Sequence, residues 1–240
     1  LEVLFCSGLL LAFYRLLLVR KVSFRACRRY LVAAVFLSAV IPALDIPLYP
    51  ARTVVYPLPL IAAPPAENFV QTTGELPVAV PVVPSGWRRI LRPMAVGGYL
   101  TAVFLSLGFL AVRMVGIRRL RRRSRLTDCG AYTLAEHPQI ATPFSFLRTV
   151  FLGGGYEGRR RMIVLCHEAG HVRHRHSAER IAVELVRSLF WFNPFVWIAG
   201  RWLQEVHEWE ADRDVLDAGY DLTEYRTVIF FTNSSAIIRI

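Results

Sequence analysis

The chain has 240 residues, of which 54% are hydrophobic and 20% are charged. This much apolar surface excludes an intrinsically disordered chain, and the composition excludes a collagen-like or low-complexity protein. The net charge of +11 would favour nucleic acid as a partner if it covered one face. It is concentrated in the first half instead: residues 1–130 hold 17 basic and 5 acidic groups, whereas residues 131–240 hold 12 and 13. The sequence therefore predicts no direct binding of nucleic acid.

Two acid-free basic runs account for this excess, and each follows an apolar stretch. Arg20–Arg29 holds five basic residues and Arg113–Arg125 holds seven. Such runs are typical of the cytoplasmic ends of spans in a polytopic membrane protein, which makes the lipid bilayer a partner. The apolar stretches predict about three transmembrane helices, at residues 3–19, 31–48 and 94–117. The third has 24 residues, which reach roughly 36 Å as a helix and so cross a ~30 Å hydrocarbon core.

The segment between the second and third spans predicts an extracytoplasmic loop. Residues 49–92 carry most of the prolines, few charges and no helical period, which favours an extended chain. The basic runs place their ends of the spans in the cytoplasm. The sequence thus divides into a membrane domain, residues 1–130, and a cytoplasmic domain, residues 131–240.

The second half has the pattern of a small soluble domain with strands followed by helices. Ala131–Leu134 and Phe144–Leu152 are rich in aromatic and β-branched residues and predict short strands. Helices are predicted over three segments: Arg159–His176, Ser177–Phe192 with Ser177 as the N-cap, and Pro194–Ala218. Asn193 and Pro194 give the last helix a cap and a favoured first residue, and Gly219 ends it.

The sequence His167-Glu168-Ala-Gly-His171 is an HExxH motif on a predicted helix. Histidines four residues apart share one face, so both can offer a ring nitrogen to one metal ion. Glu168 is placed to take a proton from a metal-bound water. Zinc prefers such a site when a third protein ligand is present and the fourth position is open. Gly170 predicts a close approach by another part of the chain.

The third ligand is expected from an acidic cluster on the last helix. Glu208 and Asp212 share a helical face, and so do Glu205 and Glu208. The spacing alone does not choose between Glu205 and Glu208. Four nearby side chains are predicted to lie away from the metal, the two histidines as exposed charges: His174, His176, Glu210 and Asp214.

Four segments of the second half carry a resemblance to known proteins: His167-Glu168-x-x-His171, Phe192-Asn193-Pro194-Phe195, Glu208-Trp-Glu-Ala211-Asp212 and Thr142–Phe146. Together they resemble the BlaR/MecR-type membrane zinc metallopeptidases, antirepressor signal transducers of the gluzincin clan. The resemblance covers about residues 1–230. It implies a mainly α, polytopic protein of the bacterial inner membrane, with a small α+β gluzincin-like zinc peptidase domain in the cytoplasm.

The resemblance also implies the roles of individual residues. It gives His167, His171 and Glu208 as the ligands of Zn²⁺. It gives Glu168 as the catalytic base. It gives Asp212 as the carboxylate that holds a ligand histidine by a hydrogen bond, which fixes the imidazole tautomer.

By this resemblance the chain is a membrane-anchored zinc endopeptidase that transmits a signal by cleaving a winged-helix transcriptional repressor or itself. We expect an extended substrate peptide to add as a strand to an edge within Phe144–Leu152. Two alternatives stay open: a quality-control protease of membrane proteins, and a non-catalytic membrane receptor whose zinc is structural. Residues 230–240 do not resemble the family's continuation, so we expect a truncation at the C-terminus.

Overall fold

The structure is a computed structural model that describes three stretches of the chain: residues 2–19, 21–41 and 86–228. Most of these residues are helical and the strands form one small sheet, which confirms a mainly helical protein with a small sheet. Most of the predicted loop, residues 49–92, and the last residues, 229–240, lie outside the described stretches. Residues 2–41 and 99–228 belong to one compact unit, and residues 86–98 belong to a second unit. The domain boundary at residue 130 stays a prediction.

Two helices lie at the N-terminal end of the described chain. The first, α1, covers Glu2–Phe13 and continues as a π-helical segment, Tyr14–Leu18. The second, α2, covers Phe24–Val40. Ser23 caps α2, because its hydroxyl accepts a hydrogen bond from the Ala26 amide at 3.4 Å.

A third helix, α3, is the only one among the described residues that is long and apolar enough to cross a membrane. It covers Gly86–Arg123, with the candidate span at Ile90–Arg123. Residues 2–18 and α2 each form 17 helical residues and reach about 25 Å, short of the ~30 Å hydrocarbon core. The described chain therefore contains one candidate span where three were predicted. Part of the second predicted span, residues 42–48, lies outside it.

A four-stranded sheet follows α3. Its strands are β1 Arg125–Asp128, β2 Thr133–Glu136, β3 Phe144–Phe146 and β4 Thr149–Leu152, in the order β1-β2-β4-β3. β2 and β4 are parallel, and the other two pairs are antiparallel. The strand predicted at Ala131–Leu134 begins two residues later, and the one predicted at Phe144–Leu152 is a hairpin that turns at Leu147, where φ is 52°. β3 therefore lies at an edge of the sheet and β4 lies inside it.

The remaining helices carry the predicted site residues: α4 Gly158–Arg173, α5 His176–Leu189, α6 Pro194–Asp217 and a helical segment at residues 222–228. Arg175 is left-handed, with φ of 58°, and separates α4 from α5. The break between these two helices was thus predicted two residues too late. The N-cap of α5 is Arg175 and not Ser177. The prediction for α6 is confirmed, because Asn193 accepts a hydrogen bond from a first-turn amide at 3.0 Å and Gly219 follows the last turn with φ of 87°.

The N-terminal helices share a hydrophobic core with α5 and α6. Leu31 of α2 is fully buried in the same cluster as Leu203 of α6. A side chain at Gly8 of α1 would meet the ring of Phe195 at 3.1 Å, so this close contact needs a glycine. The packing places α2, with its basic residues, against the helix that carries the acidic cluster.

Candidate metal centre

Helices α4 and α6 approach each other closely at the HExxH motif. A Cβ atom on Gly170 of α4 would lie 2.9 Å from the Asp214 carboxylate and 3.4 Å from Cα of Ala211, both on α6. This is the close approach that the sequence predicted for Gly170. It sets the motif of α4 directly against the acidic cluster of α6.

His167, His171 and Glu208 direct one atom each towards a common space. Nε2 of His167 lies 3.2 Å from Nε2 of His171 and 3.4 Å from Oε2 of Glu208. Nε2 of His171 lies 3.8 Å from the same Oε2. Tetrahedral zinc with bonds of about 2.0–2.1 Å keeps its ligand atoms about 3.3–3.4 Å apart, so the three side chains fit such an ion. Two imidazoles and one carboxylate are also a donor set that suits zinc.

The charges at these atoms favour the exchange of a proton for a metal ion. Burial opposes the charged form of His167, but hydrogen bonds with Asp212 and Glu208 outweigh it and raise its pKa to about 10. Burial and the charge on His167 lower the pKa of His171 to about 4. Burial alone would raise the pKa of Glu208, but its hydrogen bond with His167 and the charge on His171 lower it. One proton therefore stands among the three metal-binding atoms in the metal-free protein, and a bound cation would replace it.

Glu168 is the next residue on the same helix, and it is 8% exposed. Burial raises its pKa to about 6, against the opposing effects of the charge on His167 and a hydrogen bond with the Ser145 side chain. A carboxyl group with a pKa in this range can take up and release a proton near neutral pH. Glu168 therefore has the position and the proton affinity of a general base.

Two side chains hold Nδ1 of His167, the ring nitrogen that does not face the other ligands. The hydroxyl oxygen of Tyr225 lies 2.8 Å from this atom and Oδ1 of Asp212 lies 3.3 Å from it. The Tyr225 hydroxyl also donates a hydrogen bond to Asp212. Asp212 thus lies where the resemblance implied, whereas Tyr225 was not predicted. The available signal was Asp221 with Glu224 three residues later, a capping pattern that predicts a helix around Tyr225.

The prediction that His174 and His176 are exposed is wrong. His176 is 2% exposed, and its Nδ1 lies 2.7 Å from Nδ1 of His171. His174 is largely covered, and its Nε2 lies 3.0 Å from Oδ2 of Asp214. Glu210 lies away from the metal-binding atoms as predicted, but it is buried and lies 3.2 Å from Nε2 of His176. The left-handed break between α4 and α5 turns both histidines towards α6.

The structure separates the two acids that the spacing left open. The Glu208 carboxylate lies with the two histidines of the motif. Glu205 is exposed and lies three residues before Glu208 on α6, outside the group of metal-binding atoms. Of the two, Glu208 is therefore the one placed to bind a metal with His167 and His171.

A cavity of about 410 Å³ opens beside these side chains. Thr142, Pro143, Phe144 and Ser145, the start of β3 and the residues before it, form part of its lining. Within the described sheet β3 pairs with β4 alone, so its other edge has no strand neighbour. The edge expected to bind a substrate strand thus lies at β3, next to Glu168.

The site has two imidazoles and a carboxylate around one point, and a buried carboxyl group beside an open cavity. This is the arrangement of a metal-dependent hydrolase. The comparison with protein families agrees: residues 10–229 match BlaR1 peptidase M56, and the chain belongs to this family. The family predicted from the sequence is therefore confirmed. Its members are membrane-associated metallopeptidases, so the substrate is a peptide or a protein. The comparison with individual curated proteins finds no match.

Proposed function

We propose that the chain is a membrane-anchored zinc endopeptidase that acts in signal transduction, by cleaving a cytoplasmic winged-helix repressor or itself. One observation carries the proposal: His167, His171 and Glu208 converge on one point beside the buried Glu168 and an open cavity. The family membership supports a peptidase. The donor set and its spacing support zinc as the metal.

In this proposal His167 and His171 hold the ion through Nε2, and Glu208 holds it through Oε2. When bound, zinc lowers the pKa of water at the site to about 7 and polarises the scissile carbonyl. Glu168 takes the proton of the attacking water on a carboxylate oxygen and delivers it to the leaving amine. The Nδ1 hydrogen of His167 is held by the Tyr225 hydroxyl oxygen together with Asp212, which leaves Nε2 of that ring free for the metal.

The substrate lies along β3 in an extended conformation. Hydrogen bonds between main-chain groups of the substrate and the outer edge of β3 supply affinity that depends little on side chains. Ser145 of β3 lines the same cavity as Glu168, so the binding strand lies beside the base. Only a segment that can be extended, such as a linker or a locally unfolded stretch, fits this position.

We further infer that the protein lies in the bacterial inner membrane, anchored by α3 and by the apolar N-terminal helices that pack on α5 and α6, with the metal-binding part on the cytoplasmic side. α3 supports this, because it is long and apolar and only 6% of its most apolar window is buried. The shorter helices expose large apolar side chains: Phe5, Leu9, Leu16, Phe36 and Leu37. Both basic runs adjoin the peptidase part, since α2 packs on α6 and the end of α3 leads into β1. This is the arrangement expected on the cytoplasmic side.

The test is cleavage of labelled β-casein, and of the chain itself, by the purified chain in detergent with zinc. Glu168→Gln should lower the cleavage rate about 100- to 10,000-fold, the range for loss of general acid–base catalysis. Its zinc content should stay unchanged, because Glu168 is not a ligand in this proposal. Glu205→Gln, an exposed acid on α6, is the matched control and should keep both zinc and cleavage.

Three outcomes would contradict parts of the proposal. Unchanged cleavage by Glu168→Gln would refute the mechanism. If the protein were a receptor with structural zinc, the wild-type chain would bind zinc and cleave neither substrate. Cleavage of unfolded casein without any self-cleavage is expected of a quality-control protease and would exclude the chain as its own substrate.

A further inference from the structure

A line of polar contacts runs from His171 to the N-terminal helix α2. Nδ1 of His171 lies 2.7 Å from Nδ1 of His176. Nε2 of His176 lies 3.2 Å from Oε2 of Glu210, and Arg28 of α2 donates a hydrogen bond to the same oxygen at 2.6 Å. The line joins α4, α5, α6 and α2, so it connects a candidate metal ligand with a helix from the other end of the sequence.

We propose that His176, Glu210 and Arg28 form a positioning relay that holds His171 in the tautomer and orientation in which it binds the metal. Through Arg28, helix α2 becomes part of the support of the metal site. The inference rests on the metal centre of the proposed function, but it does not depend on the chemistry carried out there.

The direction of the hydrogen bonds follows from the chemistry of imidazole. A neutral imidazole carries one N–H, so a His171 that binds a metal through Nε2 carries its proton on Nδ1. That N–H donates to Nδ1 of His176, which leaves the proton of His176 on Nε2, where it donates to Glu210.

Glu210 decides between two competing arrangements. Arg28 Nη1 also lies 3.1 Å from Nε2 of His176, and without Glu210 it would donate to that nitrogen. His176 would then carry its proton on Nδ1 and donate to His171, whose own proton would move to Nε2, the metal-binding atom. Glu210 prevents this, because it accepts hydrogen bonds from both Arg28 and His176.

The relay is shielded from water, so its members do not exchange partners freely. His176 is 2% exposed and Glu210 is 5% exposed. A buried carboxylate needs a nearby cation to offset the loss of hydration. Arg28 supplies it, with a side chain that is 14% exposed, whereas Arg25 lies 3.7 Å from Glu210 and its side chain is 74% exposed.

The His176 ring is also held on its face. The ring of His207 stacks on it, with 4.0 Å between the ring centres. Nε2 of His207 lies 2.8 Å from Oε2 of Glu179, and the other oxygen of Glu179 lies 3.4 Å from Nε of Arg28. Glu210 therefore holds His176 at the ring edge, and His207, which Glu179 holds in turn, covers the ring face.

The test measures the zinc affinity of the purified full chain by competition with a chelator at one fixed pH. His176→Phe keeps a ring against His207 but removes the acceptor for His171. It should weaken zinc binding about 10- to 100-fold, as loss of an outer partner of a ligand does. His137→Phe is the matched control, because this half-buried histidine lies just after β2 and accepts a hydrogen bond from the amide of Gln139. The control should bind zinc with nearly wild-type affinity.

A double-mutant cycle distinguishes a relay from separate structural effects. Arg28→Met keeps the apolar stem of the side chain and removes its charge, and it should weaken zinc binding about tenfold. In the His176→Phe background the same change should have little further effect, because Arg28 acts through His176. Additive effects would overturn the proposal, and so would unchanged affinity in His176→Phe.

Glu210→Gln provides a second route if the variants above do not fold. The amide has the shape of the carboxylate, but it can donate to Nε2 of His176 and so favours the wrong tautomer. Zinc affinity should fall about tenfold, and unchanged affinity in a folded Glu210→Gln chain would overturn the relay. A wild-type chain that binds no zinc would refute the metal centre as well. A wild-type chain that binds zinc but cleaves nothing contradicts the proposed function alone.

Discussion

His167 and His171 lie one turn apart on α4, but their Nδ1 atoms are held by different parts of the chain. His167 is held by Asp212 and Tyr225, which are close to each other in the sequence. The carboxylate of Asp212 is 43% exposed. His171 is held by His176, which is almost fully buried and leads to α2. The same motif therefore has one local support open to solvent and one buried support that depends on the N-terminal helices.

This difference has a physical consequence for how each ligand responds to change. A partly exposed carboxylate can be replaced in part by water, which donates and accepts hydrogen bonds at the vacated place. A buried group cannot be replaced in this way, so loss of its partner leaves an unsatisfied polar atom. Perturbation of the N-terminal helices should therefore reach the metal through His171 and leave the support of His167 intact.

Asp212→Ala should have the largest effect on the support of His167. It removes the acceptor for both the His167 ring and the Tyr225 hydroxyl, so zinc affinity should fall about 10- to 100-fold. Chelator competition measures this fall. Asp217→Ala, at the exposed end of α6, is the control and should bind zinc as the wild type does.

The comparison of Asp212→Ala with His176→Phe then shows which support matters more. If water compensates at the exposed site, Asp212→Ala should lie at the weaker end of this range and His176→Phe at the stronger end. Wild-type affinity in Asp212→Ala would contradict any role for the local support.

Tyr225→Phe should have a smaller effect. The ring stays buried and Asp212 still accepts from His167, so one hydrogen-bonding hydroxyl is lost. A net hydrogen bond contributes about 1 kcal/mol, which corresponds to roughly fivefold in zinc affinity and about 1 kcal/mol in the free energy of unfolding. Chelator competition and urea denaturation measure the two quantities. Tyr220→Phe, whose ring packs against Arg159, is the control, and an equal loss in both variants would contradict a specific role for Tyr225.

The residues that could be predicted from the sequence lie at short, regular spacings. His167 and His171 are four residues apart on α4, and Glu208 and Asp212 are four apart on α6, so helical geometry alone aligns each pair. The cap at Asn193 and the stop at Gly219 were also local signals, and they located α6 correctly. Family resemblance selected Glu208 over Glu205 as the third ligand, which spacing could not.

The two histidines that were predicted to be exposed, His174 and His176, are covered through contacts with residues far away in the sequence. Glu210 is buried because Arg28, on a helix expected in the membrane domain, supplies its cation. Nothing in the spacing of His176 or Glu210 reveals that partner. Apolar composition also does not show that a helix such as α2 packs one face on α6.

Asp221→Ala should have the smallest effect, and its effect should depend on pH. Oδ2 of Asp221 accepts hydrogen bonds from the amides of Thr223 and Glu224, at 2.8 and 3.1 Å, and so caps the helical segment that carries Tyr225. These hydrogen bonds lower the pKa of Asp221 below its ordinary value of 3.8. A carboxyl group with a lowered pKa stabilises the fold above its ordinary pKa, and that stabilisation is lost as the pH falls through the lowered value.

The difference in the free energy of unfolding between the wild type and Asp221→Ala should therefore be constant near neutral pH and shrink in acid. Urea denaturation at a series of pH values measures it. Zinc affinity at neutral pH should fall less than in Tyr225→Phe, because the hydroxyl is still present and only its helix is less well held. A difference that grows as the pH falls would contradict the role of Asp221 as a helix cap. Asp212 and the packing of Tyr225 would then form the local support of His167 without it.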